Sequence, residues 1–129
     1  MICRDIYGSS LSLLGEDTSG EYSEDYERRV SYLIPLLYAL LSEKDDALRE
    51  ARGLGKHGNI NIEKTNLDEE FMLCEDFLPA AAYYVSSMLI FDSDSARADK
   101  LYEKYSDTVE KIMKGIPFKS EKTVDKYPY

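Results

Sequence analysis

Nucleophilic or metal chemistry in this chain would have to be built on one histidine, His57, and two cysteines, Cys3 and Cys74. A catalytic histidine must sit within hydrogen-bond reach of its nucleophile and be held there by a third group. His57 lies instead in a glycine-rich stretch, residues 53–58, where a solvated imidazole is expected. A structural zinc site takes four ligands, usually in close-spaced pairs. Cys3, His57 and Cys74 are far apart in sequence and contain no C-x-x-C pair, so both thiols read as reduced and structural.

Three further patterns test negative on context. Gly53, Gly55 and Gly58 match G-x-G-x-x-G, but a dinucleotide site needs a strand before the glycines and a helix after them; here a helical pattern precedes and a polar loop follows. Asp92, Asp94 and Glu103 occupy positions one, three and twelve of an EF-hand loop. Ala96 and Arg97 stand where an oxygen ligand and the turn glycine belong, so the aspartates are expected to cap a helix. Eleven tyrosines are present, yet Tyr26, Tyr102 and Tyr105 fall on or beside apolar helical stripes, and Tyr83 and Tyr84 have no bases interleaved for stacking nucleic acid. No catalytic, cofactor-binding or metal-ligating residue is expected, no cofactor, and no enzymatic activity.

The elements that would position these residues read as helices. Residues 77–91, FLPAAAYYVSSMLIF, are apolar on every side, as in a helix with neighbours all around it. At ~1.5 Å per residue the stretch reaches roughly 21 Å, short of the ~30 Å of a bilayer core. Asp76 is its expected cap, Pro79 fits its first turn, and Ser86 and Ser87 are expected to bond a carbonyl one turn back or a packed neighbour.

Residues 25–52 carry Tyr26, Val30, Leu33, Leu37 and Leu40 at alternating spacings of four and three, the pattern of a long amphipathic helix. Ser23 is a plausible cap, and Glu24 with Arg28 and Asp25 with Arg29 have the favourable acid-first order. Pro35 implies a kink or two helices meeting, and the EKDD run after Leu41 reads as a solvated face. Cys3, Tyr7, Leu11 and Leu14 mark a short first helix ending at Gly15. Ala98, Leu101, Tyr105, Val109 and Ile112 mark a last one, capped by Asp94 and stopped by a left-handed Gly115 and Pro117. Residues 53–66 form a loop or short exposed hairpin arm with an Ile60 to Ile62 alternation. Residues 67–75, with Phe71, Met72 and Leu73, read as a helical turn or two leading into the central helix, and residues after 114 form an extended tail. The expected fold is therefore all-α: four to five helices in residues 1–114 around a central apolar one, with a tail over 115–129.

With 25 acids against 16 bases the formal charge is −9, which disfavours a phosphate-neutralising surface. Up to Asp94 there are 8 bases and 19 acids, a net of −11; beyond it there are 8 bases and 6 acids, a net of +2. The C-terminal third could thus meet an acidic partner. The first residues lack the apolar run of a secretory signal and no later stretch spans a bilayer, so a soluble intracellular protein is expected.

The order LSLLGED, ERRVSYLIPLLYALLSE, a variable middle, DFLPAAAYYVSSMLIFDSDSARADKLYEKYSDTVEKI and a terminal TVDKYPY resembles the small α-helical head-tail connector, or adaptor, proteins of tailed phages and prophages of Gram-positive bacteria. The Asp-rich turn FDSDS, Tyr105 and the D-x-Y of Asp125 to Tyr127 carry the likeness. The resemblance implies a non-enzymatic protein that docks as a ring of about a dozen copies beneath the portal and extends the DNA channel toward the tail. Portal and further neck or tail proteins would be its partners, without tight nucleic-acid or membrane binding. It would reside in the host cytoplasm during assembly and then in the virion neck. Expected partner-binding residues are Lys119, Lys122, Val124, Lys126, Tyr127 and Tyr129 in the tail, with Val124 and Tyr127 as apolar anchors, and Ile60 and Ile62 in the arm. The rival expectation is an acidic helical regulatory or antitoxin-like module that binds one cytosolic protein.

Overall fold

The computed structural model describes residues 1–16 and 20–116. They form four α-helices: α1 (Cys3–Leu13), α2 (Ser23–Ala51), α3 (Leu78–Ile90) and α4 (Ser95–Lys114), with a 3-10 turn, Glu75–Phe77, leading into α3. Among the described residues there is no strand, only an isolated antiparallel bridge between Ile2 and Glu70. The all-α expectation holds.

The central position of α3 follows from its composition. Ala80, Ala81, Val85, Leu89 and Ile90 are buried on different sides of the helix, which packs against α4, α1 and α2. Burying a Val, Leu or Ile side chain contributes about 1.5–3 kcal/mol, so a helix that is apolar all round stabilises most when enclosed. The alanines let α1 approach closely enough for Ser10 Oγ, bonded to the Ile6 carbonyl at 2.7 Å, to lie 3.3 Å from the carbonyl of Ala82. Ser86 donates to the Tyr83 carbonyl at 3.0 Å and Ser87 to the Ala98 carbonyl of α4 at 2.8 Å, so each hydroxyl is satisfied in one of the two expected ways.

The start of α3 departs from expectation. Phe77 is the N-cap residue and makes no side-chain cap, while the Asp76 carboxylate takes a two-pronged bond from the Arg52 guanidinium at 2.7 Å on each oxygen. A planar fork matched to a carboxylate outcompetes a single backbone N–H. Pro79 in the first turn loses no intrahelical bond.

Pro35 does not split α2, which runs as one helix of 29 residues. The proline leaves the Ser31 carbonyl without its intrahelical donor, and the N–H of Thr65 fills that place at 2.9 Å. The core face is Val30, Ile34, Leu37, Tyr38, Leu41 and Leu48. Leu40, expected on it, is 50% exposed. Ser23 lies inside the helix with Tyr22 at the cap position, and Arg28 pairs with Asp25 at 2.6 Å rather than with Glu24. Arg29, 3.9 Å from Asp25, spends its guanidinium on the carbonyls of Met88 and Leu89 at 3.0 and 3.2 Å, where it caps the end of α3.

Two of the left-handed glycines end helices. At the end of α1, Gly15 has φ +75, with Gly15 N–H bonded to Ser12 O and Glu16 N–H to Leu11 O; at the end of α2, Gly53 has φ +74, with Gly53 N–H bonded to Glu50 O and Leu54 N–H to Arg49 O. Both are Schellman stops, which need a left-handed residue. Gly115 does not play this part. Its φ is −76 and its N–H bonds Lys111 O and Ile112 O, closing α4 with right-handed backbone while Ile116 buries against the core. The cap at Asp94 is present, its Oδ1 accepting from the Arg97 N–H at 3.1 Å.

Candidate functional site

The polar side of α2 organises the segment between α2 and α3. Residues 55–65 run back along α2 and residues 72–76 return along it. On the outward run Gly55 O accepts from Arg49 Nε at 2.6 Å, His57 N–H and Gly58 N–H donate to the two oxygens of Asp46 at 2.9 and 3.0 Å, and Ile60 N–H reaches Ser42 Oγ at 3.4 Å. Thr65 then meets Ser31 O. On the return Met72 N–H donates to Tyr38 Oη at 3.1 Å and Cys74 N–H to Asp45 Oδ1 at 2.8 Å, before Asp76 meets Arg52. Between the two runs Cys3 and Arg4 at the start of α1 donate their N–H groups to Glu69 O and Leu67 O. Extended backbone without strand pairing must bond elsewhere, and side chains of α2 supply most of the partners.

Two expectations therefore change. Asp45, from the run read as a solvated face, is 0% exposed, and the His57 side chain, read as solvated, is 19% exposed with Nε2 2.5 Å from Asp45 Oδ2. Its Nδ1 lies 2.6 Å from the Gly58 carbonyl and 3.3 Å from Asp46 Oδ1. Burial alone would lower the imidazole pKa, but the bonds to Asp45 and Gly58 and the charges of Asp46 and Asp45 outweigh it and raise it. Burial works against ionisation of Asp46 too, and is overcome by the His57 and Gly58 N–H groups and the His57 charge, which hold its pKa below the usual value. Burial, then the neighbouring Asp45, pushes the Cys74 thiol up. Cys3 lies 3.6 Å from Tyr38 Oη and is likewise raised, first by burial. The donors close enough to share an ion are Asp45, Asp46 and His57 rather than the cysteines with His57, among the described residues. Gly58, with φ +76, is the tight turn that lets this backbone close on Asp46.

Ile60, expected to bind a partner from an exposed arm, is buried in the core, whereas Ile62 is exposed. Phe71 and Leu73 are buried and Met72 is exposed, an extended alternation in place of a turn of helix. Lys119, Lys122, Val124, Lys126, Tyr127 and Tyr129 lie outside the described residues. The tyrosines Tyr84, Tyr102 and Tyr105 pack together between α3 and α4, with ring centroids 5.2 to 6.5 Å apart, and burial pushes the Tyr105 phenol up to about 12.

One surface feature escaped the reading of spacings. Tyr32, Leu36 and Leu40 follow one another a turn apart on α2 and are 45%, 55% and 50% exposed. The clue lay in the run Leu33 to Leu41, LIPLLYALL, which has more apolar residues than one buried face accommodates. A separate open groove of about 700 Å³ lies between α1 and α3, lined by Ile6, Leu13, Leu78, Pro79 and Tyr83 with Asp5 at its rim. Among the described residues no helix is long and apolar enough to cross a membrane.

The fold and surface define an acidic all-α bundle whose long second helix is clad on one side by its own loop and bare on another. No family model, curated protein or solved structure matches the chain.

Proposed function

We propose that this chain is a head-tail connector of a tailed phage or prophage, acting through protein contacts in a ring on the portal. The observation that carries the proposal is the apolar row Tyr32, Leu36 and Leu40 along the outer face of the longest helix. Three large apolar side chains in line, next to a well-buried core, fit a surface covered in an assembly. The charge of −9 agrees with a conduit, since a strongly basic surface would hold passing DNA by its phosphates. The sequence resemblance supplies the identity of the partner.

The test combines the purified chain with the portal protein encoded with it and images the product by electron microscopy. Rings of many copies on the portal are expected. The double variant Leu36→Glu, Leu40→Glu should melt like the parent, within about 0.5 kcal/mol, because both residues are exposed, yet fail to join the ring. A small complex of fixed stoichiometry with one cytosolic protein would instead establish the regulatory module, and unimpaired ring assembly by the double variant would remove the role given to this face.

A further inference from the structure

We propose that His57 is a proton-operated clasp: as imidazolium it holds residues 53–66 on α2, and as neutral imidazole it lets that segment open. This does not depend on the connector reading. A carbonyl oxygen can only accept, so Nδ1, 2.6 Å from Gly58 O, carries a hydrogen. Nε2 lies 2.5 Å from Oδ2 of Asp45, a separation that requires a proton between them, and with Asp45 as its carboxylate that proton is on the ring. Both nitrogens donate, and the closed geometry is that of the doubly protonated ring.

A metal ion is the competing occupant of the same donors, and their placement argues against it. Asp45 meets the ring at Nε2 whereas Asp46 meets it at Nδ1, on the far side. Each of the three residues offers a ligand atom within 4.8 Å of the others, so an ion could enter only by displacing bonds these atoms already make. Asp46 is committed besides, with each oxygen accepting a backbone N–H, and Asp45 Oδ1 accepts from Cys74 N–H. A proton on each nitrogen satisfies every one of these atoms.

Loss of one proton reverses the balance. Nδ1–H can keep Gly58, but a lone pair at Nε2 would then face the oxygen of a fully buried carboxylate. The surrounding charges do not replace the lost one. On α2, Arg49 is bonded to Gly55 O, Glu50 pairs with Lys56 at 3.4 Å, and Arg52 is held by Asp76; from the return run, Cys74 stays neutral because its thiol is pushed up. Since the folded imidazole pKa lies above the ordinary ~6.5, the stabilisation of the closed segment is complete below about pH 6.5 and disappears as pH rises through the folded value. Opening would carry Ile60 off the core and move exposed Ile62 with it.

Hydrogen exchange resolved by residue, from about pH 6 to about pH 9, tests this on the full chain. Each amide rate is divided by its intrinsic rate at that pH. Protection of Gly58 and Ile60 should fall roughly tenfold for each unit by which the folded pKa exceeds the unfolded one, while Leu89 in α3 stays protected. In His57→Gln the step should vanish. Ring ¹⁵N shifts of the parent chain give a readout independent of that variant's folding, and should show both nitrogens protonated near neutral pH. Three results would overturn the clasp: the same fall in H57Q, titration of the imidazole below the ordinary histidine value, or zinc raising Gly58 protection in the parent chain at alkaline pH, which would make the cluster a metal site.

Discussion

The α3–α4 half and the segment laid along α2 are held by different physics. In α3 burial is spread over many side chains, and the buried polar atoms Ser86 Oγ and Ser87 Oγ are each satisfied by a carbonyl close at hand. Between α2 and α3 the chain is extended and held at points: Asp45, Asp46, Ser42, Tyr38, Arg49 and the carbonyl that Pro35 sets free at Ser31. Dispersed apolar packing degrades gradually when one contact is lost. Point attachments fail singly, and those made through Asp45, Asp46 and His57 respond to pH because they are charged hydrogen bonds. Local opening is therefore expected to begin along the segment rather than at α3.

The largest effect expected separates the two regions by chemistry. Leu89→Ala removes a buried side chain from the enclosed helix and should cost roughly 2–5 kcal/mol in urea unfolding at any pH where the protein is folded, since nothing about the lost contact titrates. A parent-like midpoint would mean that α3 is not the centre of the core.

Asp45→Asn should come next. The amide keeps the volume but loses the charge, and its oxygen can accept from only one of His57 and Cys74 N–H, leaving its NH2 group against the other donor; about 2 kcal/mol is expected. The distinguishing sign is that this loss should shrink as pH rises, when the parent's own His57 bond is weakening. A loss that stayed constant with pH would place the energy in packing and blur the contrast between the regions.

The smallest effect concerns the half-exposed pair of Arg52 and Asp76 that ties the return run to the end of α2. Asp76→Asn should cost about 0.5–1 kcal/mol at neutral pH. The Arg52 guanidinium holds the Asp76 pKa below its ordinary value, so the stabilisation is present above the unfolded carboxylate pKa of about 3.9 and is lost as pH falls through the lower folded value. Parent and variant melting temperatures should converge in that acid range. If they remain apart, the pair acts by shape rather than charge.

The position of α3, the buried stripe of α4 and the stop at Gly15 were legible in the order of residues because each depends on neighbours a few places away: apolar periodicity, a capping aspartate, a glycine at a helix end. The helical class and the absence of a dinucleotide context around Gly53 were legible for the same reason. Which apolar face of α2 turns inward was not, since Leu37 and Leu40 are equally hydrophobic and only the neighbours α3 and the 53–77 segment choose between them. Nor was the fate of Asp45 and His57. Twelve residues apart, they carry no local sign that one is buried and the other bonded to it, because a charge enters a core only where a distant partner meets it. Helix content and the central apolar helix were determined by the sequence alone, through interactions one or two turns long. Tertiary structure alone decided the sealing of Pro35 by Thr65, the diversion of Asp76 from cap to ion pair and the meeting of His57 with two aspartates, since each joins groups that only folding brings within 3.5 Å of one another.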